Sequence, residues 1–495
     1  MGRHVGAGGW SSLVNVQADG FKRLSPRLTP RPIAPASRLI GAVGPLLFLA
    51  LLAQAFVQRG IAGWAVGIVY ILYDTALLIF TALQIRRLVR DVPMPNAATY
   101  RPSLAVIVAA RNEAAVLAIT IDTLAAQTDP PDLILLADDG SIDGSAEVLR
   151  NCYGLEPPAS GTTSGPSPVL PALRWLRLPH GGKATALNLA MLHVDTELML
   201  TVDADTLLRP GALAAMRDAF AVEPELVAAT GVLAPVCGRH FSGRLFQWFQ
   251  GYEYVRNFLS RYAWMRADSL LLISGAFAGF RRDAVIEVGG FDPVSMVEDY
   301  ELIHRLHRHA RETGCDWRVR VIGRALATTD APASALGFLR QRRRWFGGFL
   351  QTQHWNRDMV GNRVYGRLGT AMLPVKSLDR VQPLFGLAAL AVLIAFLATG
   401  RFRIVRPILA IMLAKIAIDL GFHLWSLGIY RRWTGQREGL STGHAVLASF
   451  VEPITFQLLR HLGAAWGWIA FLRGRDSWAQ QKRTAVKQPP ERDNV

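Results

Sequence analysis

The chain has 495 residues, 51% of them hydrophobic, with 54 Lys and Arg against 38 Asp and Glu and a formal net charge of +16. That is too long and too apolar for one ordinary soluble domain, and it predicts a soluble core joined to membrane segments. Three widely spaced cysteines, Cys152, Cys237 and Cys315, leave no disulfide framework or zinc site to argue from and fit a reducing compartment.

Residues 1–38 are basic and Pro-rich with Asp19 as the one acidic group, and read as a disordered cytoplasmic tail. No small-residue cleavage pattern follows the first apolar run, so the segment does not read as a cleaved signal. Leu39 to Val57 and Ile61 to Ile85 are each near the ~20 residues that a bilayer core requires. Arg59 separates them, and Arg86, Arg87 and Arg90 close the second. Within 39–90 this predicts two transmembrane helices with both outer ends cytoplasmic, the alternative being a signal anchor followed by a buried core helix.

From 101 to 330 the pattern becomes soluble α/β. Apolar, β-rich runs at Leu104 to Ala109, Leu133 to Ala137, Leu173 to Leu178 and Leu198 to Val202 alternate with helical stretches at Ala114 to Ala126 and Lys183 to Leu192. Such alternation predicts a mostly parallel sheet with ligands at the carboxyl ends of its strands. Between Gly154 and Pro171 the composition is that of an unstructured surface insertion. Residues 331–375 open with an Arg-rich amphipathic helix, Ala333 to Thr352, suited to a membrane interface. Three apolar stretches follow within 381–472, at Leu384 to Ala398, Ile404 to Tyr430 and Ala445 to Leu472, ahead of a basic tail at 473–495.

Three C-terminal spans would place that tail outside, whereas Arg473, Arg475, Lys482, Arg483 and Lys487 place it inside. One stretch is therefore expected to be interfacial or re-entrant, the polar-striped Ala445 to Leu472 first. Lys415, Asp419 and His423 share one helical face, and Glu452, Gln457, Arg460 and His461 form another polar stripe. Both suit either helix contact or a polar path.

Each chemically informative motif follows a strand. Ala110-Arg111-Asn112-Glu113 comes after the first and Asp138-Asp139-Gly140-Ser141 after the second, where a carboxylate pair can accept the donors of a nucleobase and ribose. Gly181-Gly182-Lys183 opens a helix and offers N–H groups and an ammonium to a diphosphate, or is simply a glycine turn. Asp203-Ala204-Asp205 ends the fourth strand. Such a pair is common in surface turns, but here it suits Mg²⁺ or Mn²⁺ carried in with a substrate diphosphate.

Ile273 to Phe280 is a run of small residues fit for close approach of a sugar or for tight packing. Glu298-Asp299 opens a helix, where a carboxylate can cap the helix or take a proton from a hydroxyl. Gln341-Arg342-Arg343-Arg344-Trp345 sets Gln341, Arg344 and Trp345 close together on successive turns, with Arg suited to diphosphate oxygens and the indole to a sugar ring.

In this order the motifs resemble the membrane-integrated, processive family 2 glycosyltransferases, the group holding cellulose, chitin, hyaluronan and poly-β-1,6-N-acetylglucosamine synthases. The resemblance covers Leu104 to Gln351. It leans to the poly-N-acetylglucosamine branch through the two apolar segments ahead of the domain, Tyr252-Glu253-Tyr254 and the stretch from Arg473 to Trp478. It implies a glycosyltransferase A-type domain flanked by transmembrane helices, in the cell membrane, with the catalytic domain cytoplasmic.

The resemblance further implies that Glu113, Asp138 and Asp139 hold the uridine of a UDP-sugar. Lys183 and Asp203 would contact nucleotide and diphosphate, and Asp205, with Asp203, the Mg²⁺ or Mn²⁺. Asp299, beside Glu298, would be the general base. Gln341 and Arg344 would stabilise the departing diphosphate, and Trp345 would stack on the acceptor. Val297 departs from the pattern, in which a Thr commonly stands there, as does Ala137, where a β-branched residue is common. The implied partners are a UDP-sugar donor, a polysaccharide or glycolipid acceptor, the lipid bilayer, and export or accessory subunits. Nucleic acid is not expected, because the Arg clusters border apolar helices instead of forming a soluble basic face. Single addition to a lipid, and a catalytically dead scaffold, are the competing readings.

Overall fold

A computed structural model describes residues 7–58, 60–89, 100–436 and 441–474. Arg59, Arg90, Arg475, Trp478, Lys482, Arg483 and Lys487, on which part of the topology and branch argument rested, lie outside the described residues.

The centre of the molecule is one eight-stranded sheet in the order β3-β2-β1-β4-β7-β6-β8-β5. β1 (Leu104–Ala110), β2 (Leu133–Asp139), β3 (Leu173–Leu178) and β4 (Leu198–Asp203) are mutually parallel. These are the four expected strands. Their near-continuous apolar runs are covered on both faces, the usual condition of a parallel sheet. β7 (Phe277–Arg281) joins antiparallel between β4 and β6 (Leu226–Val236). β8 (Arg318–Asp330) runs parallel to β6, and β5 (Thr206–Leu208) antiparallel to β8. The result is a mixed α/β sheet whose parallel half carries the motifs. Register matters here, because Ala109 lies opposite Asp203 and Ala110 opposite Asp138. The exits of β2 and β4 therefore flank the exit of β1.

Two segments expected to lack structure are ordered. Within 1–38, Ala7–Leu24 is a helix. Arg27 pairs with the buried Asp292 at 3.1 Å, Arg31 pairs with Glu312, and Phe21 lies 5.1 Å beneath the Arg305 guanidinium. The basic composition that suggested solvated chain is used to bind carboxylates of the core. Residues 154–171 lie along β3. Gly161 N–H donates to Arg177 O at 2.7 Å, Ser164 N–H to Trp175 O at 2.8 Å and Ser167 N–H to Leu173 O at 3.0 Å. Backbone pairing to an open sheet edge orders a segment that has few apolar side chains of its own.

Three helices are long and apolar enough to cross a membrane among the described residues: Pro35–Val57, Ile61–Leu88 and Leu368–Ala398. The last begins with a π-helical turn, Leu368–Met372. The Ile404 to Tyr430 stretch lies in the helix Phe402–Thr434, which is not among the three. Ala445 to Leu472 is not one helix. Thr442–Val451 and Phe456–Leu472 are separated by Glu452–Ile454, where Pro453 cannot continue the hydrogen-bond ladder of the preceding turn. Phe456–Leu472 crosses the Arg-rich helix, Ala335–Trp355, closely. A Cβ on Gly463 would sit 2.6 Å from Arg342 Cβ, and one on Gly467 would sit 3.0 Å from Arg343 O. Small residues one turn apart permit that approach.

Candidate active site

The site is built at the carboxyl ends of β1, β2 and β4. After β2, both buried aspartates are tied into the backbone around them. Asp138 Oδ1 accepts from Ser141 N–H at 2.8 Å and Oδ2 from the Trp175 indole at 3.3 Å. Asp139 Oδ1 accepts from Gly181 N–H at 2.7 Å and Gly182 N–H at 3.1 Å, and its Oδ2 lies 2.8 Å from His180 Nδ1. The glycine turn is thus fastened to the Asp pair. Gly140, at φ +70°, makes the close approach possible, since a Cβ there would lie 2.9 Å from His180 N. Asn112, at φ +57°, donates its N–H to Ser141 Oγ at 3.0 Å and accepts from Ile142 N–H at 2.8 Å, holding the two loops together. Glu113 is buried immediately beyond.

At the end of β4, Asp203 and Asp205 are half-buried and Ala204 between them is buried. Thr120 Oγ1 pins the turn by donating to Ala204 O at 2.6 Å. Lys183, first residue of Lys183–Leu192, brings Nζ to 2.6 Å from Asp203 Oδ1 and 3.4 Å from Glu298 Oε1. Burial works against its charge, but Asp203 and Glu298 outweigh it and hold the ammonium pKa above the ordinary lysine value. Lys183 therefore remains a cation throughout the working pH range.

Glu298 and Asp299 begin the helix Glu298–Thr313. Asp299 Oδ2 accepts from Gly275 N–H at 2.7 Å and Oδ1 from Tyr300 N–H at 2.7 Å. Burial and then the neighbouring Glu298 charge raise its pKa; Lys183 and the two N–H groups oppose them without cancelling them. A carboxyl so poised is oriented and basic enough to accept a proton. Ile273 to Phe280, read as a place for close approach, brings its backbone up to this carboxylate.

The Glu298–Thr313 helix is anchored by groups that the sequence alone did not single out. Arg305 is wholly buried, bonded to Glu301 at 2.6 Å and to Val288 O at 2.6 Å. Arg308 is bidentate to Asp358 at 2.7 and 2.9 Å. A helix reading Tyr-Glu-Leu-Ile-His-Arg-Leu-His-Arg-His looks like a solvated face, yet its residues 300–310 are all buried. The available signal was Glu301 four residues before Arg305, a spacing that lets a helix neutralise its own charges.

The Arg-rich helix lies alongside. Ser334 Oγ caps it by accepting from Gly337 N–H at 3.3 Å. Val297, which departs from the pattern, packs on it, and a Cβ at Gly348 would come within 2.7 Å of its side chain. Met296 N–H donates to Gln351 Oε1 at 3.2 Å. Gln341 is buried with Oε1 unbonded, whereas Arg344 and Trp345 are half-buried. Arg342 lies 4.6 Å over the Trp345 ring and is bidentate to Glu253 at 2.8 and 2.9 Å. Glu253 stands on the long helix Phe241–Arg266 and had served only as a cue to the branch.

For a cation, the described residues hold no cluster of three His, Cys, Asp or Glu. Asp203 and Asp205, one residue apart at the exit of β4, nevertheless offer hard oxygen ligands. That fits Mg²⁺ or Mn²⁺, which are commonly held by one or two carboxylates plus substrate phosphates.

Comparison with known proteins agrees with this geometry. The family described as "Glycosyl transferase family 2" matches residues 105–289, and "Glycosyl transferase family group 2" matches residues 198–413. The poly-beta-1,6-N-acetyl-D-glucosamine synthase of Staphylococcus epidermidis is 26% identical over 245 residues, covering 49% of this chain and 53% of the relative. The enzyme of the same name from Staphylococcus aureus is 25% identical over 243 residues with the same coverage. The chain thus spans about half the length of the curated relatives it matches. A mannosyltransferase from Pyrobaculum calidifontis, solved with GDP-Man and Mn²⁺, shares the fold with TM-score 0.53 and 20% identity over 79% of this chain and 99% of its own. Sheet order, motif placement and both family matches converge: the chain belongs to glycosyltransferase family 2.

Proposed function

We propose that this protein is an inverting, membrane-embedded transferase that moves a sugar from UDP to a growing β-linked polysaccharide, with N-acetylglucosamine or glucose as the sugar. The observation that carries the reading is the joining of Lys183, Asp203 and Glu298 in one charged cluster beside an Asp299 carboxyl held by two backbone N–H groups. In this reading Glu113, Asp138 and Asp139 receive the uridine, and Lys183 with Asp203 the diphosphate. Asp205 and Asp203 would hold Mg²⁺ or Mn²⁺, which supplies charge neutralisation for the departing UDP when bound. Asp299 takes the proton from an acceptor hydroxyl as that oxygen attacks the anomeric carbon from the face opposite UDP. One displacement at that carbon converts an α-linked donor into a β-glycoside. Arg344 offers its guanidinium to the leaving diphosphate, Gln341 helps to position it, and Trp345 stacks on the acceptor sugar.

Three apolar helices of sufficient length and the close packing of Phe456–Leu472 on the Arg-rich helix support a membrane location, with the product handed toward the bilayer. The relatives named as polysaccharide synthases support a polymeric product. The test is incubation of membranes with UDP-N-acetylglucosamine, UDP-glucose or UDP-glucuronate, followed by sizing of the product. Long β-linked chains from one donor support the reading. A glycolipid bearing a single sugar would replace it with single addition to a lipid acceptor, and no UDP release from any donor would leave a scaffold.

A further inference from the structure

We propose that Arg27 is a positioning residue for the transfer reaction, acting through Asp292 to set the turn that presents Glu298 and Asp299; this rests on the transferase reading above. Arg27 donates Nε to Asp292 Oδ2 and Nη2 to Asp292 Oδ1, both at 3.1 Å, and Asp292 is wholly buried. The same aspartate builds the turn that follows it. Its Oδ1 also accepts from Val294 N–H at 2.9 Å, and its backbone O accepts from Ser295 N–H at 3.1 Å. Ser295 Oγ in turn accepts from Val297 N–H at 3.2 Å, and the next residues are Glu298 and Asp299. A guanidinium fork bonded to both oxygens fixes the plane of a carboxylate, which a single ammonium does not. Asp292 is thus oriented by a residue 265 positions earlier in the chain.

The segment just ahead of this turn, 287–291, is gripped from three sides. On the first is the helix Ala7–Leu24. A Cβ on Gly20 would lie 2.2 Å from Glu287 O, and one on Gly289, at φ +93°, would lie 2.2 Å from Phe21 N. On the second, Asn188 of Lys183–Leu192 donates Nδ2 to Phe291 O at 2.8 Å and accepts from Phe291 N–H at 2.7 Å. On the third, Arg305 of Glu298–Thr313 donates to Val288 O at 2.6 Å and to Gly290 O at 2.5 Å. Phe21 closes the junction with its ring 5.1 Å from the Arg305 guanidinium carbon, within reach of cation–π attraction. The two core helices that meet here are those that open with Lys183 and with Glu298 and Asp299. A tail serving stability alone could dock anywhere on the core, whereas this one closes on the turn that leads into the charged cluster. Arg31 pairs with Glu312 at the far end of the same helix, where both side chains are partly exposed, and such a pair is worth little by itself.

The experiment measures UDP release and UDP affinity of the purified full-length protein in detergent. UDP-N-acetylglucosamine and UDP-glucose are each tried as donor, with short β-linked oligosaccharides of the same sugar as acceptor. Arg27→Met is expected to lower turnover by about tenfold or more. UDP affinity by calorimetry should stay within about twofold, because Asp138, Asp139 and the Lys183–Asp203 pair lie outside the turn. Arg27→Lys, which keeps the charge and loses the fork, should fall between. Arg27→Met strands a buried carboxylate and can unfold the protein, so Arg27→Met combined with Asp292→Asn is tested beside it. That double variant should recover the thermal midpoint without recovering turnover, since the turn still lacks its clamp. Arg31→Met should keep turnover within about twofold. Unaltered turnover in Arg27→Met, full turnover in the double variant, a parallel fall of turnover and UDP affinity, or an equal loss in Arg31→Met would each overturn the proposal. An unmodified protein that releases no UDP from either donor would bring down the transferase reading and this inference with it. An active unmodified protein with any of those four results brings down the inference alone.

Discussion

Gly275 gives its backbone N–H to Asp299 Oδ2 at 2.7 Å, so a residue from the small-residue segment aims the carboxylate at the head of the Glu298–Thr313 helix. A Cβ at position 275 would lie 3.0 Å from that oxygen and 3.3 Å from Asp299 Cβ. Gly275→Ala therefore has to push the carboxylate aside or lose the hydrogen bond. Turnover is expected to fall by about tenfold to a hundredfold, because small misplacements of a reacting group are expensive in rate. Affinity for UDP, measured by titration calorimetry, should stay near that of the unmodified protein. A comparable loss of UDP affinity would assign the segment to the donor pocket instead.

The raised pKa of Asp299 carries a sign that kinetics can check. A general base acts when unprotonated, so under the proposed role of Asp299 turnover should rise with pH through its pKa. Burial and the Glu298 charge place that rise above the ordinary aspartate value of about 4. Glu298→Gln removes the like charge and should move the acidic limb of the turnover profile to lower pH. Asp299→Asn should abolish turnover at every pH while UDP still binds. A limb that stays put in Glu298→Gln would mean that another group controls it.

Legibility of the site in the sequence followed chain distance. Asp138, Asp139, Lys183, Asp203 and Asp299 could be found because each sits where an apolar strand stops or a helix begins, and period and composition report such boundaries. The parallel half of the sheet was readable for the same reason, as runs of Val, Ile, Leu and Ala. β8 was not, because its alternating polar residues carry Arg and Thr outward, and β7 was hidden in a segment that looked like a sugar-binding loop. Glu253 was missed because an aromatic, basic helix gives no local sign of which of its positions meet a partner. That is decided by Arg342, which lies 89 positions away in the chain. The order in residues 13–38 was invisible because Arg27 and Arg31 meet their carboxylates only in the fold.

The pair formed by Arg342 and Glu253 predicts a specific asymmetry. Both oxygens of Glu253 are used by Arg342, and Glu253 is 3% exposed. Glu253→Ala leaves a guanidinium in the interior without its counter-charge, which should cost about 3 kcal/mol or more and loosen the helix that carries Gln341 and Trp345. Glu253→Met with Arg342→Met removes both charges and should recover much of that stability. The measurement is the thermal midpoint in detergent. A double variant no better than Glu253→Ala would show that the pair does more than neutralise itself. Turnover should fall in both variants, since Arg342 also lies over Trp345.

Acid should weaken the same domain through two histidines on the Glu298–Thr313 helix. His304 lies between Tyr300 O, 2.8 Å from Nδ1, and Gln353, 3.3 Å from Nε2, and His307 Nε2 lies 2.8 Å from Leu270 O. Burial, ahead of all other causes, pushes their pKa values down to about 3 and about 4. In the unfolded chain both titrate near 6.5, so as pH falls below that value the unfolded state takes up protons that the folded state refuses. The stability is fully present above about pH 6.5 and is lost as pH falls toward about 4, by up to roughly 1.4 kcal/mol per pH unit for each histidine. Thermal midpoints recorded between pH 7.5 and pH 4.5 should therefore decline, on the order of the span set by these shifts. His307→Gln can still donate to Leu270 O but cannot charge, and should flatten the decline. A variant whose midpoint falls as steeply as that of the unmodified protein would remove His307 from the account and leave the acid sensitivity to the carboxylates.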